Sequence, residues 1–539
     1  MGAQGGVMTT ADVPVLVAGG GLVGLTAALL LEYHGVPYVL VERRTTASVL
    51  PRSRGLHTRS GEVFRQLGLE QRIADTARFA LKAGRFGGAR TGESVATAAA
   101  LNLQSLLAGL ADQDPSPSQF VFLPQAQLEP VLAATARERG GDLRFGTELV
   151  EFEQDTDGVT AVLREPSGAR SVLRSGYLIA ADGAGSPIRR ALGITGTELP
   201  PTHHYLNVFA RTDLTGLLDG RGFSQCEITG PQVRGLVLSK NNTDEWSFHI
   251  EYDPAAESPA DWSDERCLAA VRTMVGIPDL RVEILARSAW DTSTFVADEY
   301  RRDRVLLVGD AAHRHAPWGG YGGNTGIADA HNLIWKLAAA VQGTAGPELL
   351  DSYAAERRPR AVVAVEQARL ATDFRTRYGI ATPENAADLT RKLDMATVMS
   401  RYRYTSTAVL PTVEATPHVP ILGGQTGTRV PHWWIDAGPW TLSTLDLCGP
   451  GFTLLVSGPA GAWREAAGAA QRATGIELAV HALPTSDCTE HANVPAGEAL
   501  LVRPDHHIAA GPDSGLTPAA LGEVLESISG RMPTRPLVS

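Results

Sequence analysis

The run Gly19-Gly20-Gly21-Leu22-Val23-Gly24 constrains this chain more than any other feature. It fits GxGxxG between an apolar strand over residues 13–18 and a helix reaching about residue 34, with Gly35 as the stop signal. Gly19 permits the tight turn, Gly21 lets backbone approach a pyrophosphate, and Gly24 lets the helix pack close to the sheet. Leu22 opens the helix, where free N–H groups meet the phosphate charge. A second strand, 37–42, ends in Glu42, about 20 residues beyond the turn, where an acid binds a ribose hydroxyl. The uncharged stretch 13–31 has the length of a membrane span. Its four glycines instead give strand, turn and helix. No basic leader or small-residue cleavage site accompanies it, so a cytoplasmic protein is expected.

The glycine fingerprint alone does not separate NAD from FAD. Two further motifs narrow the choice. Residues 177–181 form a buried strand delivering Asp182-Gly183, and Ser186-Pro187 then caps and opens a helix. Residues 304–309 form another buried strand, followed by Asp310, Pro317 and Gly319-Gly320-Tyr321-Gly322-Gly323-Asn324. Asp310 can accept hydrogen bonds from sugar-alcohol hydroxyls. The glycines bring bare backbone against a flat ligand. A long helix expected from Asn324 to about residue 341 would turn its positive end toward a negatively charged reduced flavin.

At 539 residues the chain allows about three to four domains of roughly 150 residues each. Its net charge of −11, without a basic block, argues against nucleic acid and anionic membrane as partners. Cys226, Cys267, Cys448 and Cys488 form no CxxC pair, and His203, His204, His313 and His315 match no metal spacing. No metal is expected, and those histidines are read as structural or pocket residues. Between about 203 and 293 the chain turns to strand-like runs. In 245–252, Trp246, Phe248, Ile250 and Tyr252 alternate with polar neighbours, as in a sheet with one covered face.

The order GxGxxG, Asp-Gly, Gly-Asp resembles the flavoprotein aromatic hydroxylases typified by para-hydroxybenzoate hydroxylase, over roughly residues 13–360. The resemblance implies FAD, reduction by NADPH or NADH, and O2 as co-substrate. Pro51-Arg52-Ser53-Arg54-Gly55 resembles the family's arginine turn, which puts Arg52 near the pyrophosphate. Pro124-Gln125 with Leu128-Glu129 resembles a helix start whose Gln125 contacts FAD. Arg43 and the backbone at Val150 would lie near the adenine, and Asp182-Gly183 would serve both FAD and the nicotinamide donor. Because the oxidising equivalent forms on the flavin, no side chain is nominated as an obligate acid or base. No second glycine fingerprint exists for the nicotinamide donor.

The run GGNTGIADAHNLIWKLA is most similar to hydroxylases that tailor aromatic polyketides in antibiotic biosynthesis. Tyr321 and Gly323 depart from the Gln and Leu or Met frequent there. The tail resembles those enzymes' thioredoxin-like C-terminal domain, redox-inert here because Cys448 lacks a partner. The expected fold is thus α/β. A Rossmann-like FAD-binding domain spans 1–200 and 294–375, with substrate-side segments near 80–120. An antiparallel substrate domain is inserted at 201–293. A connector, 376–430, leads to a thioredoxin-like domain, 431–539.

The inserted sheet should cover a bulky aromatic substrate. Tyr205, Trp246, Phe248, Trp290, Phe295 and Tyr321 are candidate walls, each also open to a plain core reading. Hydroxylation, Baeyer–Villiger insertion and epoxidation stay open, as does a redox-dead binding protein. The WxWxIP signature of flavin halogenases is absent. A monomer or homodimer is expected.

Overall fold

The apolar run before the glycine turn is a strand, Ala11–Ala18, central to a parallel sheet. The computed structural model describes residues 11–46, 55–80, 88–101, 115–220, 222–411 and 416–531. Parallel strands follow in the order Val305–Leu307, Arg170–Ala180, Ala11–Ala18, Tyr38–Glu42 and Asp142–Phe145. At the centre, residues 15–18, 38–41 and 178–180 and the strand Val305–Leu307 are apolar and buried, as strands covered on both faces must be, while Asp142–Phe145 is a more polar edge. The helix Leu22–Tyr33 packs against the helices Gln125–Glu138 and Tyr321–Val341. The single strand expected near 143–152 is two, Asp142–Phe145 and Glu148–Gln154, broken at Gly146 with φ +80°.

A second sheet of seven strands holds the inserted region and borrows Ala89–Gly92 and Ala99–Ala100 from the earlier segment. Its alternation sorts side chains into two faces. Trp246, Phe248 and Ile250 join Leu206, Val208 and Val237 beneath the helix Asp264–Val275. Tyr205, Asn207, Leu236, Ser247 and His249 occupy the opposite face, toward the helix Glu348–Leu370.

The C-terminal sheet has the order Leu478–Leu483, Phe452–Ser457, Ala499–Val502, Ile508–Ala510, the first pair parallel and the others antiparallel. With the helix Gly461–Thr474 between its parallel strands, this is the thioredoxin-like pattern. All four cysteines are buried and unpaired. The expected connector is partly helical, with Ala386–Arg391 and Met395–Met399, and it buries Tyr402 and Tyr404. Among the described residues no helix is long and apolar enough to cross a membrane.

Candidate active site

The glycines of the first turn are required by contact. A Cβ on Gly19, whose φ is +115°, would lie 2.2 Å from the Ala181 carbonyl oxygen, and one on Gly24 would lie 1.9 Å from the Gly19 oxygen. The turn is therefore pressed between helix and sheet, and Gly21 is left as the helix N-cap. Glu42 accepts from the Gly20 N–H at 2.7 Å and from Arg44 Nε at 2.9 Å. Burial would raise its pKa, but the hydrogen bonds from Arg44 and Gly20 hold it below the usual carboxylate value. Arg44, rather than the exposed Arg43, is thus the residue fixed to the ribose-side acid. Glu129, which sequence spacing placed beside Gln125 without a role, accepts from the Leu22 N–H at 3.1 Å and from Gln125 Nε2 at 2.6 Å. Val150 sits at a bulge between Leu149 and Glu151. Arg52 lies outside the described residues.

Asp182 ends the long strand beside Gly19. Its Oδ2 accepts from the Ile188 N–H at 3.1 Å, while its buried Oδ1 has no partner. Burial raises its pKa. Gly183 takes φ +86°. Asp310 is exposed in the tight turn Gly309–Ala311 that follows the strand Val305–Leu307. The two aspartates therefore stand at the carboxyl ends of neighbouring parallel strands, where open α/β sheets bind ligands.

The long helix begins at Tyr321, three residues before the expected Asn324. Gly319 and Gly320 at its mouth have φ +80° and +65°, and Pro317 precedes them on the exposed side. Gly322, Gly323 and Asn324 fall within the first turn, so the helix still points its N-terminus at this loop. Asn324 is a tie rather than an open ligand. Its amide donates to the Gly55 and Gly320 carbonyls, and its oxygen accepts from His57 N–H at 2.9 Å and Ser60 Oγ at 2.7 Å. His57 completes the clasp, with Nε2 3.1 Å from the Gly319 oxygen. Burial pushes its pKa down to about 4, so it is neutral and can donate there. Below the loop, buried Asp329 binds His313 at 2.6 Å, Arg357 at 2.8 Å and the Gly309 N–H at 3.2 Å. His313 is thereby structural, and no metal-binding cluster occurs among the described residues. Of these holding residues only Asn324 and His313, the latter as a structural or pocket histidine, stand out in the sequence, because the other roles arise from contacts across the chain.

A cavity of about 770 Å³ opens between the inner face of the inserted sheet and the helix Glu348–Leu370. Its wall includes Tyr205, Leu236, Glu227, Val296, Trp318 and Arg377. Tyr205 stacks on Trp290 with ring centroids 4.6 Å apart, and Trp290 meets Trp318 edge-on at 6.3 Å. The Trp290 indole N–H donates to His249 Nδ1 at 3.0 Å. Trp318 belongs to the loop that precedes the long helix, so the cavity adjoins the glycine loop directly.

Three expected walls are displaced. Trp246 and Phe248 are fully buried on the outer face, because the apolar half of their strand meets the covering helix while Ser247 and His249 face inward. Phe295 turns from the cavity, with Arg189 stacked 4.3 Å from its ring, while Thr294 and Val296 of the same strand line it. Tyr205 holds its expected place and Trp290 stands behind it. Tyr321 packs against His57 at 6.2 Å, between loop and cavity core.

The donor set fits FAD. Bare glycine backbone forms the turn at the helix N-terminus, where the Glu129 carboxylate takes the Leu22 N–H, Glu42 and Asp310 stand as carboxylates at two strand ends, and Asp182 Oδ1 is buried with no partner among the described residues. Comparison with known proteins agrees. A family model described as an FAD binding domain matches residues 12–368, and one described as the C-terminal domain of aromatic-ring hydroxylases matches 424–532. The chain belongs to the FAD-dependent aromatic-ring hydroxylases. This hydroxylase is 40% identical to a putative polyketide hydroxylase of Streptomyces halstedii, with 93% of each chain covered. It is 38% identical to the tetracenomycin B2 monooxygenase-dioxygenase of Streptomyces olivaceus, covering 93% of this chain and 95% of that one. Among solved structures, a ternary complex of aklavinone-11 hydroxylase with FAD and aklavinone superposes with a TM-score of 0.85 at 31% identity, over 97% of this chain and 100% of that one.

Proposed function

We propose that this hydroxylase places one atom of O2 on a ring carbon of a polycyclic aromatic polyketide, using electrons from NADPH or NADH, as a tailoring step in antibiotic biosynthesis. The observation that carries this reading is Trp318, which belongs at once to the glycine loop at the cofactor side and to the wall of the 770 Å³ cavity. That volume lies in the range of roughly 300–1,000 Å³ typical of ligand pockets and accommodates a fused tetracycle. Similarity to polyketide hydroxylases supports the substrate class.

FAD supplies two-electron storage and reactivity toward O2 when bound. The chain's residues do the rest. Gly19, Gly21, Leu22 and Gly24 seat the pyrophosphate, with Glu42 and Arg44 at the ribose. Gln125 approaches through Glu129, and Arg43 and Val150 flank the adenine. Asp182, Gly183 and Asp310 hold the ribityl side. Pro317, Gly320, Gly322, Gly323 and Asn324 shape the loop against the flavin ring, and the helix dipole stabilises negative charge there. Tyr205, Trp290 and Trp318 orient the substrate and exclude water. Without a second glycine fingerprint, the nicotinamide donor binds transiently at the cavity side.

The test is a turnover with purified holoenzyme, NADPH, isotopically labelled O2 and a tetracyclic hydroxyquinone. One labelled oxygen on a still-aromatic ring carbon is expected. NADPH consumption yielding only hydrogen peroxide across a panel of such substrates would overturn the reading.

A further inference from the structure

Among the ionisable groups of the cavity wall, Glu227 and Arg377 face each other across it from different elements. Glu227 lies on the inner face of the inserted sheet, paired across from Leu236. Arg377 comes from the opposite side, at the end of the short helix Phe374–Arg377. Both line the cavity, and no ion pair joins them.

Arg377 is built in rather than draped over the surface. Its Nε donates to the Ala371 carbonyl at 2.7 Å and its Nη2 to the Thr372 carbonyl at 3.1 Å. Its guanidinium stacks 3.9 Å from the centre of the Trp318 ring. These contacts fix the plane of the fork; Nη1 is buried with no hydrogen-bond acceptor in range among the described residues, and the neighbouring Tyr378 is the side chain that competes for the guanidinium. A desolvated guanidinium N–H left with no acceptor is costly, so a ligand acceptor at that atom is favoured. The Glu227 carboxylate shows no hydrogen bond or ion pair among the described residues, while its backbone stays in the sheet. It is faced by Arg377 and Asp373 from the short helix, Arg234 from the neighbouring strand and Glu251 from the strand beyond.

We propose that the cavity selects a flat polycyclic ligand bearing an anionic oxygen, a carboxylate or an ionised acidic hydroxyl, which Arg377 holds through Nη1 and which Glu227 admits only while protonated. This specificity rests on the reading of the cavity as the substrate site. Tyr205, backed by Trp290, and Trp318 take the rings, and Arg377, stacked on Trp318, takes the charge at the ring edge. Burial pushes Glu227 up to about 7, despite the Arg377 charge. It is therefore neutral below that pH and sets no charge against the ligand. Above it, a second negative charge stands in the cavity and repels the ligand.

Binding of anthraquinone-2-carboxylate to the holoenzyme, compared with uncharged anthraquinone from pH 5.5 to 8.5 as trial conditions, tests this. At the acid end the carboxylate is expected to bind at least about tenfold more tightly, a margin equal to roughly 1.4 kcal/mol. That preference should shrink as pH rises through about 7. Arg377→Gln should abolish it, and Arg377→Lys should restore part of it. Glu227→Gln should keep the preference but make it independent of pH, and this variant tests the idea even if Arg377 variants fail to fold. Equal binding of both probes by the wild type, or an unchanged pH profile in Glu227→Gln, would overturn the proposal. Alizarin, whose colour reports its ionisation, assigns the source. A lowered midpoint when bound marks the ionised hydroxyl, and an unshifted one marks the carboxylate. A protein that oxygenates tetracycles yet binds both probes equally keeps the proposed function and loses this inference. One that prefers the carboxylate but oxygenates nothing does the reverse.

Discussion

Glu356→Gln is expected to loosen the C-terminal domain and the flavin loop together. In the wild type, Glu356 is buried between the two long helices and the C-terminal loop. It accepts from Lys336 at 2.7 Å, from Arg503 at 2.6 and 2.9 Å, from Asn332 at 2.6 Å and from Ser406 at 2.6 Å. Asp505 accepts from Arg503 at 2.5 Å and from Asn332 at 3.1 Å, so two cations and two anions balance in a dry site. Burial would raise the pKa of Glu356, but Arg503 and Lys336 hold it far below the usual carboxylate value. The neutral amide leaves Lys336 and Arg503 facing Asp505 alone and puts an N–H₂ where an acceptor is needed. Breaking one partner out of a buried pair typically costs about 3–5 kcal/mol. Lys336, already lowered by burial to about 8, should then lose its proton near neutrality, which trims the loss toward the lower figure. Urea unfolding followed by tryptophan and flavin fluorescence measures both effects. A loss of about 3 kcal/mol with earlier flavin release is expected. A loss below about 1 kcal/mol would show that the network is not a buried, compensated cluster.

Gly24→Ala should cut FAD affinity by tenfold or more, because its Cβ meets the Gly19 oxygen at 1.9 Å and the helix must retreat from the turn; flavin titration of the apoprotein checks this. Phe248→Ala should cost about 3–5 kcal/mol of stability, as a fully buried core aromatic. Tyr205→Ala should chiefly weaken binding of polycyclic ligands, so denaturation and ligand titration together separate the two faces of the sheet. Stability should fall as pH drops from about 6.5 toward 4, the window between an unfolded histidine and His57 or His507, whose burial lowers both to about 4. The unfolded chain binds more protons there, so the slope of stability against pH is positive. Thermal melts across that range read it.

Local pattern gave away the parts of this molecule built from adjacent residues. Gly19, Gly24, Glu42, Asp182 and the loop before Tyr321 sit on short stretches whose spacing fixes strand, turn and helix. The faces of the inserted sheet were harder. The alternation through 245–252 is plain, but amphipathicity alone points Trp246 and Phe248 equally well toward a ligand or a covering helix. The helix Asp264–Val275 decides, and it takes the apolar half. The polar half, with Asn207 and His249, shares its face with Tyr205 on the cavity side, which alternation alone does not reveal. The clasp of His57, Ser60 and Asn324 spans more than 260 residues of sequence, as does the link between Arg59 and the Asp505 carbonyl. Arg377 and Glu227 carry no motif at all. Their meaning comes from one cavity reached from two sides.

The most direct measurement is anaerobic mixing of the purified holoenzyme with NADPH, with and without a polycyclic hydroxyquinone, while flavin absorbance is followed. Expected is a bound flavin that bleaches, faster when the ligand is present, and that returns to the oxidised spectrum on admission of O2 with formation of a hydroxylated product. A protein that binds no flavin, or whose flavin NADPH cannot bleach with any such ligand present, would contradict the assignment of this fold and cavity to an NADPH-driven monooxygenase.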